Sequence, residues 1–287
     1  MNFTEHSIRL ASGVTLNYAE QGPEDGPVAM LLHGFPDSWR SYAPVMRHMP
    51  PEFRVIAPSL RGFGESDKPA DGYHPRDLAA DVAEFMDRLG IHAAYVAGHS
   101  MGSYVAACLA IDHPDRVAGL FLIGTFPCLA GRADMAELIE AVDGMRDEVD
   151  AALINDFQRG TLAQPVSDAF FAGILAESAK VPLHVWRAVL PSLMACDLAG
   201  ELPRIQAPTL VLWGDQDGFS AIADQEAIAR AIPRANLAVY RGAGHSLQWE
   251  EPQRFAEDLA ARIRGLAPSR RRVEGAALRR PLVWPRT

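Results

Sequence analysis

Short unbroken apolar runs alternate along the first half of the chain with stretches whose apolar positions return every three or four residues. The runs at 28–32, 53–57, 95–97 and 117–123 lack the in–out alternation of a half-exposed strand, which predicts strands buried on both faces. Ahead of them, 6–10 and 14–20 read as an antiparallel opening pair turned at Ser12-Gly13. Helical spacing covers 39–49, capped by Asp37 or Ser38, then 75–89 from His74-Pro75 to Gly90, then the stretch from Met101 onward. Strands and helices in this order predict an α/β fold, a mostly parallel sheet flanked by helices.

Between 126 and 202 the alternation stops. Amphipathic stretches at 133–159, 167–178 and 182–195, punctuated by Gly160, Pro165 and Pro182, predict helices and no strand. The buried-strand pattern returns at 209–213, followed by a helix over 221–231, a strand over 236–240 and a helix over 252–264. That makes eight strands, with a helical block between the sixth and seventh that reads as a lid over the sheet's C-terminal edge. The expected organisation is a core formed by 1–125 and 203–265, a helical lid (cap) over 126–202, and a basic tail over 266–287. The tail is rich in Arg and Pro without periodicity and reads as disordered.

Composition narrows the partners more than the fold. With 48% apolar and 22% charged residues in 287, the chain can bury a sizeable core. Its net charge of −9 is uneven, because the last 22 residues hold six Arg and one Glu. The acidic body argues against phosphate-backbone binding, so no nucleic acid is expected as partner. No run of 18 apolar residues exists, so no membrane partner is expected either. The opening Met-Asn-Phe-Thr-Glu-His-Ser has neither the basic nor the apolar part of a signal segment, and a cytoplasmic location is the expectation. Cys108, Cys128 and Cys196 show no C-x-x-C spacing and read as buried free thiols. The histidines show no paired ligand spacing, so no metal and no cofactor is expected. A small-molecule substrate remains as the partner, with a homodimer left open.

The candidate chemistry centres on Gly98-His99-Ser100-Met101-Gly102, a G-x-S-x-G placed between the apolar run at 95–97 and a helical stretch. A serine on so tight a strand-to-helix turn is forced into a strained backbone conformation that exposes its hydroxyl. Side chains two residues before and after it would collide, so glycine fills both positions. The helix that follows points N–H groups and the positive end of its dipole at any anion formed there. A hydroxyl is a poor nucleophile without a base, and His245 in Gly242-Ala243-Gly244-His245 is the candidate. Asp215 and Asp217 both follow the 209–213 run and either could orient that imidazole.

On these stretches the chain resembles the α/β-hydrolase family over residues 6–265. The motifs that carry the likeness are His33-Gly34-Phe35-Pro36, Gly98-His99-Ser100-Met101-Gly102, Gly214-Asp215-Gln216-Asp217 and Gly242-Ala243-Gly244-His245, with serine, aspartate and histidine in that family's chain order. The resemblance implies the α/β-hydrolase fold and places the acid three residues after Gly214, at Asp217, leaving Asp215 to form the turn. It implies an oxyanion hole from the backbone N–H groups of Phe35 and Met101, with His33 bracing the first of these loops. Phe35, Met101, Phe126, Trp186 and Leu247 are the expected substrate contacts.

Two of the motifs, with Arg61-Gly62-Phe63-Gly64-Glu65-Ser66, resemble the epoxide-hydrolase and haloalkane-dehalogenase branch. That branch attacks with aspartate, where this chain has Ser100, and its epoxide hydrolases use lid tyrosines, whereas residues 126–202 contain none. The implied function is a cofactor-independent serine hydrolase of a carboxylic ester or lactone with a small to medium hydrophobic substrate. The alternatives are a carbon–carbon bond hydrolase of ring-cleavage diketones, which the stretch His245-Ser246-Leu247-Gln248-Trp249-Glu250 resembles, and a slow-turnover ligand sensor.

Overall fold

The computed structural model describes residues 3–266, so the expected basic tail lies, apart from Leu266, outside the described residues. Eight strands form one sheet: β1 (Thr4–Arg9), β2 (Thr15–Gln21), β3 (Val28–Leu32), β4 (Arg54–Pro58), β5 (Ala94–His99), β6 (Val117–Ile123), β7 (Thr209–Gly214) and β8 (Ala235–Tyr240). Their spatial order is β1-β2-β4-β3-β5-β6-β7-β8. β2 pairs antiparallel with both β1 and β4, and every other pairing is parallel.

The helices are α1 (Ala43–His48), α2 (Pro75–Arg88), α3 (Met101–Asp112), α4 (Ala133–Asp143), α5 (Ala151–Gly160), α6 (Asp168–Ser178), α7 (Leu183–Ala195), α8 (Ile222–Ala231), α9 (Leu247–Glu250) and α10 (Pro252–Leu266). Alternate residues of β3 show how the sheet is covered: Met30 and Leu32 join the core under α2, α3 and α8, while Ala29 and Leu31 join the core under α1, α9 and α10. A period of two on a strand buried on both faces explains the unbroken apolar runs.

Local chemistry sets the helix starts. The Ser38 hydroxyl accepts from the Arg40 N–H at 3.2 Å at the turn leading into α1. At α2, the His74 ring accepts from the Arg76 N–H, the Asp77 carboxylate accepts from the His74 N–H, and Pro75 fills the first helical position. The expected continuous helix over 133–159 is instead two helices, α4 and α5. Gly144 follows the last turn of α4, and the Asp150 carboxylate caps α5 by accepting from the Ala152 N–H at 2.7 Å. An N-cap aspartate competes with helix continuation through its own position, a signal that periodicity alone overrides. Helices α4 to α7 all lie between β6 and β7, and the inserted block holds helices and connecting turns but no strand. Of the three thiols Cys108 and Cys196 are buried, and Cys128 is only partly so.

Candidate active site

β3, β5, β7 and β8 run parallel, so the loops leaving their C-terminal ends converge on one edge of the sheet, and each carries at least one candidate residue. Ser100 follows β5 directly, with φ 51° and ψ −116°, and is the one non-glycine residue with positive φ among the described residues. Such a conformation costs a residue with a side chain on the order of 1–3 kcal/mol, and the surroundings hold it in place. A Cβ on Gly98 would stand 2.1 Å from the Gly102 carbonyl oxygen, and one on Gly102 would stand 2.3 Å from the Leu32 oxygen. The turn is therefore closed to any other residue at both flanks. The Ser100 N–H donates to the Ile123 carbonyl at 2.9 Å, and the Ser100 carbonyl accepts from the Ser103 hydroxyl at 2.6 Å. Ser103 is bonded in turn to Thr125 at 2.8 Å, which ties the turn to the end of β6.

Asp217 and His245 meet: Nδ1 of the ring lies 2.9 Å from Oδ2 of the carboxylate. A carboxylate only accepts, so Nδ1 carries a proton toward Asp217, and the lone pair of the neutral ring falls on Nε2. Asp217 is held from its other sides by the Phe219 N–H at 2.7 Å, the Ser220 N–H at 3.0 Å and the Ser220 hydroxyl at 2.6 Å. Burial of Asp217 would raise its pKa. The His245 charge and the hydrogen bonds from His245 and Ser220 together outweigh burial and bring it down to about 2. Asp215 takes a different job. Its Oδ1 accepts from the Gly242 N–H at 2.7 Å and fixes the loop that carries His245. Asp197, at the exit of the inserted helices, is exposed and accepts from the Ala199 N–H.

No hydrogen bond joins Ser100 to His245: among the described residues the only side-chain hydrogen bond of His245 runs to Asp217, and the ring sits behind the cavity that Ser100 lines. Such bonds are often open without substrate and tighten when it binds. The Phe126 and Phe219 rings, 5.8 and 5.1 Å from the imidazole, wall it in. Ser100, Phe35, Met101 and Phe126 all line one cavity of about 40 Å³. Helices inserted between β6 and β7 cover it. Phe157, Leu190 and Leu193 supply that cover from α5 and α7.

The backbone N–H groups of Phe35 and Met101 have no acceptor within the described fold. The Phe35 loop is braced by His33, whose Nδ1–H donates to the Gly34 carbonyl at 2.8 Å while Nε2 accepts from the Leu60 N–H at 2.9 Å. Burial pushes the His33 pKa down to about 4, so the ring is neutral and keeps this tautomer. Two expected substrate contacts do not line the cavity. Trp186 is fully buried behind Phe35, ring centroids 4.5 Å apart and edge-on, so it supports the wall without forming it. Leu247 points into the core on the other side of the sheet, under α1 and α10.

Periodicity and motifs missed several supporting residues. The His99 ring donates through Nε2 to the His245 carbonyl at 3.1 Å, with burial, then the neighbouring His245, holding its pKa well below the usual imidazole range. Glu250 accepts from the N–H groups of Gly244, Ala163 and Gln164, joining the histidine loop to the inserted helices. Its place six residues after Gly244 was the one available signal, and nothing in that spacing announces the role.

The family model described as alpha/beta hydrolase fold matches residues 27–188 and 185–252. The 2-hydroxymuconate semialdehyde hydrolase of Pseudomonas sp. (strain CF600) is 32% identical over 262 residues, covering 86% of this chain and 89% of that protein. The soluble epoxide hydrolase of Corynebacterium sp. (strain C12) is 37% identical over 129 residues, 45% of this chain, so the matched part spans only 44% of that relative's length. Among solved structures, an esterase from Thermogutta terrifontis superimposes with a TM-score of 0.80 at 28% identity, covering 92% of this chain and 99% of that one.

Proposed function

The chain belongs to the alpha/beta hydrolase family, and from that membership we propose that it is a cofactor-independent serine hydrolase of carboxylic esters or lactones. The observation that carries the reading is Ser100 itself, held at positive φ on the wall of a cavity whose Phe126 and Phe219 rings pack against the imidazole of the His245–Asp217 pair. In this reading Ser100 Oγ attacks the substrate carbonyl and its proton passes to His245 Nε2. The oxyanion takes hydrogen bonds from the Phe35 and Met101 N–H groups. His245 then returns the proton to the leaving alkoxide, and an acyl-enzyme remains. Water attacks the acyl carbon, gives its proton to the same nitrogen, and releases the acid with Ser100 restored. The four inserted helices act as the lid, which opens to admit a small to medium hydrophobic substrate and closes to exclude water.

An aspartate nucleophile is the basis of epoxide opening in the branch that the flanking motifs resemble, and Ser100 in its place disfavours that chemistry. Carbon–carbon bond hydrolysis is the second reading. It rests on the 2-hydroxymuconate semialdehyde hydrolase relative, whose match runs along most of both chains. The test is turnover of a panel of p-nitrophenyl esters, lactones and a ring-cleavage dienoate by the wild type and Ser100→Ala. Esters or lactones should turn over, and the variant should lose about 10⁶-fold in kcat. Turnover of the dienoate alone favours the second reading, and substantial activity in a clean Ser100→Ala preparation refutes both.

A further inference from the structure

Two residues make the cavity wall different from plain hydrocarbon. Tyr104 lies in the first turn of α3, four residues after Ser100, and lines the same cavity. It is 1% exposed, and its hydroxyl has no hydrogen-bond partner among the described residues. A buried orphan hydroxyl lowers stability, and phenylalanine would fill nearly the same volume without that cost, so the group calls for an explanation. Among the described residues Arg132 is the one charged side chain lining the same cavity. It is fixed there by donating Nη1–H to the Phe219 carbonyl at 2.6 Å, by its ion pair with Asp134, and by packing over the Phe126 ring. Burial pushes the Tyr104 phenol up and keeps it protonated, a donor at any working pH.

We infer that Tyr104 and Arg132 form a polar subsite that binds a hydrogen-bond-acceptor oxygen on the substrate's acyl group, several bonds from the scissile carbonyl. Among the described residues no other side chain of the cavity wall offers an unused donor to that end of a ligand, since the remaining lining beyond Ser100 is apolar. The inference rests on the hydrolase reading and names its substrate class: esters or lactones of oxo or carboxy acids in preference to plain alkanoic acids. Because Asp134 already neutralises much of the Arg132 charge, a keto oxygen fits as well as a carboxylate.

The experiment compares kcat/KM for p-nitrophenyl 4-, 5- and 6-oxoalkanoates, the corresponding half-esters of dicarboxylic acids, and isosteric methyl-branched alkanoates. These are run on the wild type, Tyr104→Phe and Arg132→Met, with fluorophosphonate labelling in parallel. The wild type should favour at least one oxo or carboxy ester about tenfold or more over its branched isostere. Tyr104→Phe should erase most of that ratio while melting no lower than the wild type. A keto preference lost only in Tyr104→Phe assigns recognition to the hydroxyl, and a carboxylate preference lost in both variants assigns it to the pair. Equal rates on oxo and branched esters, or a ratio that survives Tyr104→Phe, overturn the inference and leave the hydrolase reading standing. Absence of both ester turnover and label removes the hydrolase reading, and the subsite goes with it.

Discussion

Replacing Asp217 by Asn turns a single atom into a test of the proton's position. Oδ1 of Asp217 accepts the Phe219 and Ser220 N–H groups at 2.7 and 3.0 Å, and Oδ2 accepts His245 Nδ1 and the Ser220 hydroxyl at 2.9 and 2.6 Å. Asparagine has one oxygen to offer. Backbone N–H groups cannot turn away, so the amide oxygen must stay on the Oδ1 side. The opposite flip would orphan two buried donors at about 1–3 kcal/mol each. The amide NH₂ then faces His245 and donates to Nδ1, which forces the ring proton onto Nε2. That nitrogen can no longer accept from Ser100. The Ser220 hydroxyl only has to rotate and accept from the second amide hydrogen. The fold therefore survives while the base is disabled, and kcat should fall by about 10⁴-fold, roughly 5.5 kcal/mol of barrier. Stopped-flow release of p-nitrophenol measures the loss, with a melting curve to show that the variant is folded. Asp215→Asn is the control, because its carbonyl oxygen can still accept from the Gly242 N–H and it does not touch His245. A loss under tenfold in Asp217→Asn, or an equal loss in Asp215→Asn, would refute the assignment.

Other perturbations follow from the same geometry. Gly98→Ala places a Cβ 2.1 Å from the Gly102 oxygen, so the turn must open, with a loss of about 3 kcal/mol or more in urea unfolding and of labelling at Ser100. Burial pushes the Asp37 carboxyl up to about 8, against the pull of the hydrogen bond that Gln158 donates to it at 2.9 Å. The folded protein therefore holds this proton more tightly than the unfolded chain. Stability contributed by the group is lost as pH rises from about 4 through about 8, at up to ~1.4 kcal/mol per pH unit. The depressed histidines His33 and His99 act in the opposite sense, but only below their unfolded pKa near 6.5. Urea unfolding between pH 7 and 8 should thus show stability falling with pH in the wild type and a flatter profile in Asp37→Asn. Parallel profiles would contradict it.

The parts of the molecule legible in the sequence are those fixed by local rules. Strands buried on both faces leave unbroken apolar runs, and a serine forced to positive φ demands glycine at 98 and 102. Those rules placed the eight strands and the turn at Ser100. Choosing Asp217 over Asp215 needed the family pattern, because both follow the same strand and both carboxylates end up bound to backbone N–H groups. The cavity lining was the least legible. Periodicity marks the apolar face of α7 but does not say that Leu190 and Leu193 reach the cavity while Trp186 packs behind Phe35. Leu247 failed for a similar reason, since one turn of a short helix after His245 sends it into the opposite core. The break at 144–150 was hidden by helical spacing on both sides, with Asp150 as the unread stop.

The central claim is that Ser100 becomes covalently acylated during turnover. Peptide mass mapping after brief exposure to a fluorophosphonate, and separately after acid quench during ester turnover, reads this most directly. One equivalent of phosphonyl adduct is expected on the peptide containing Ser100, an acyl adduct on the same peptide in the quenched samples, and neither in Ser100→Ala. Ester turnover with Ser100 unmodified, or an adduct on a different residue, would contradict it.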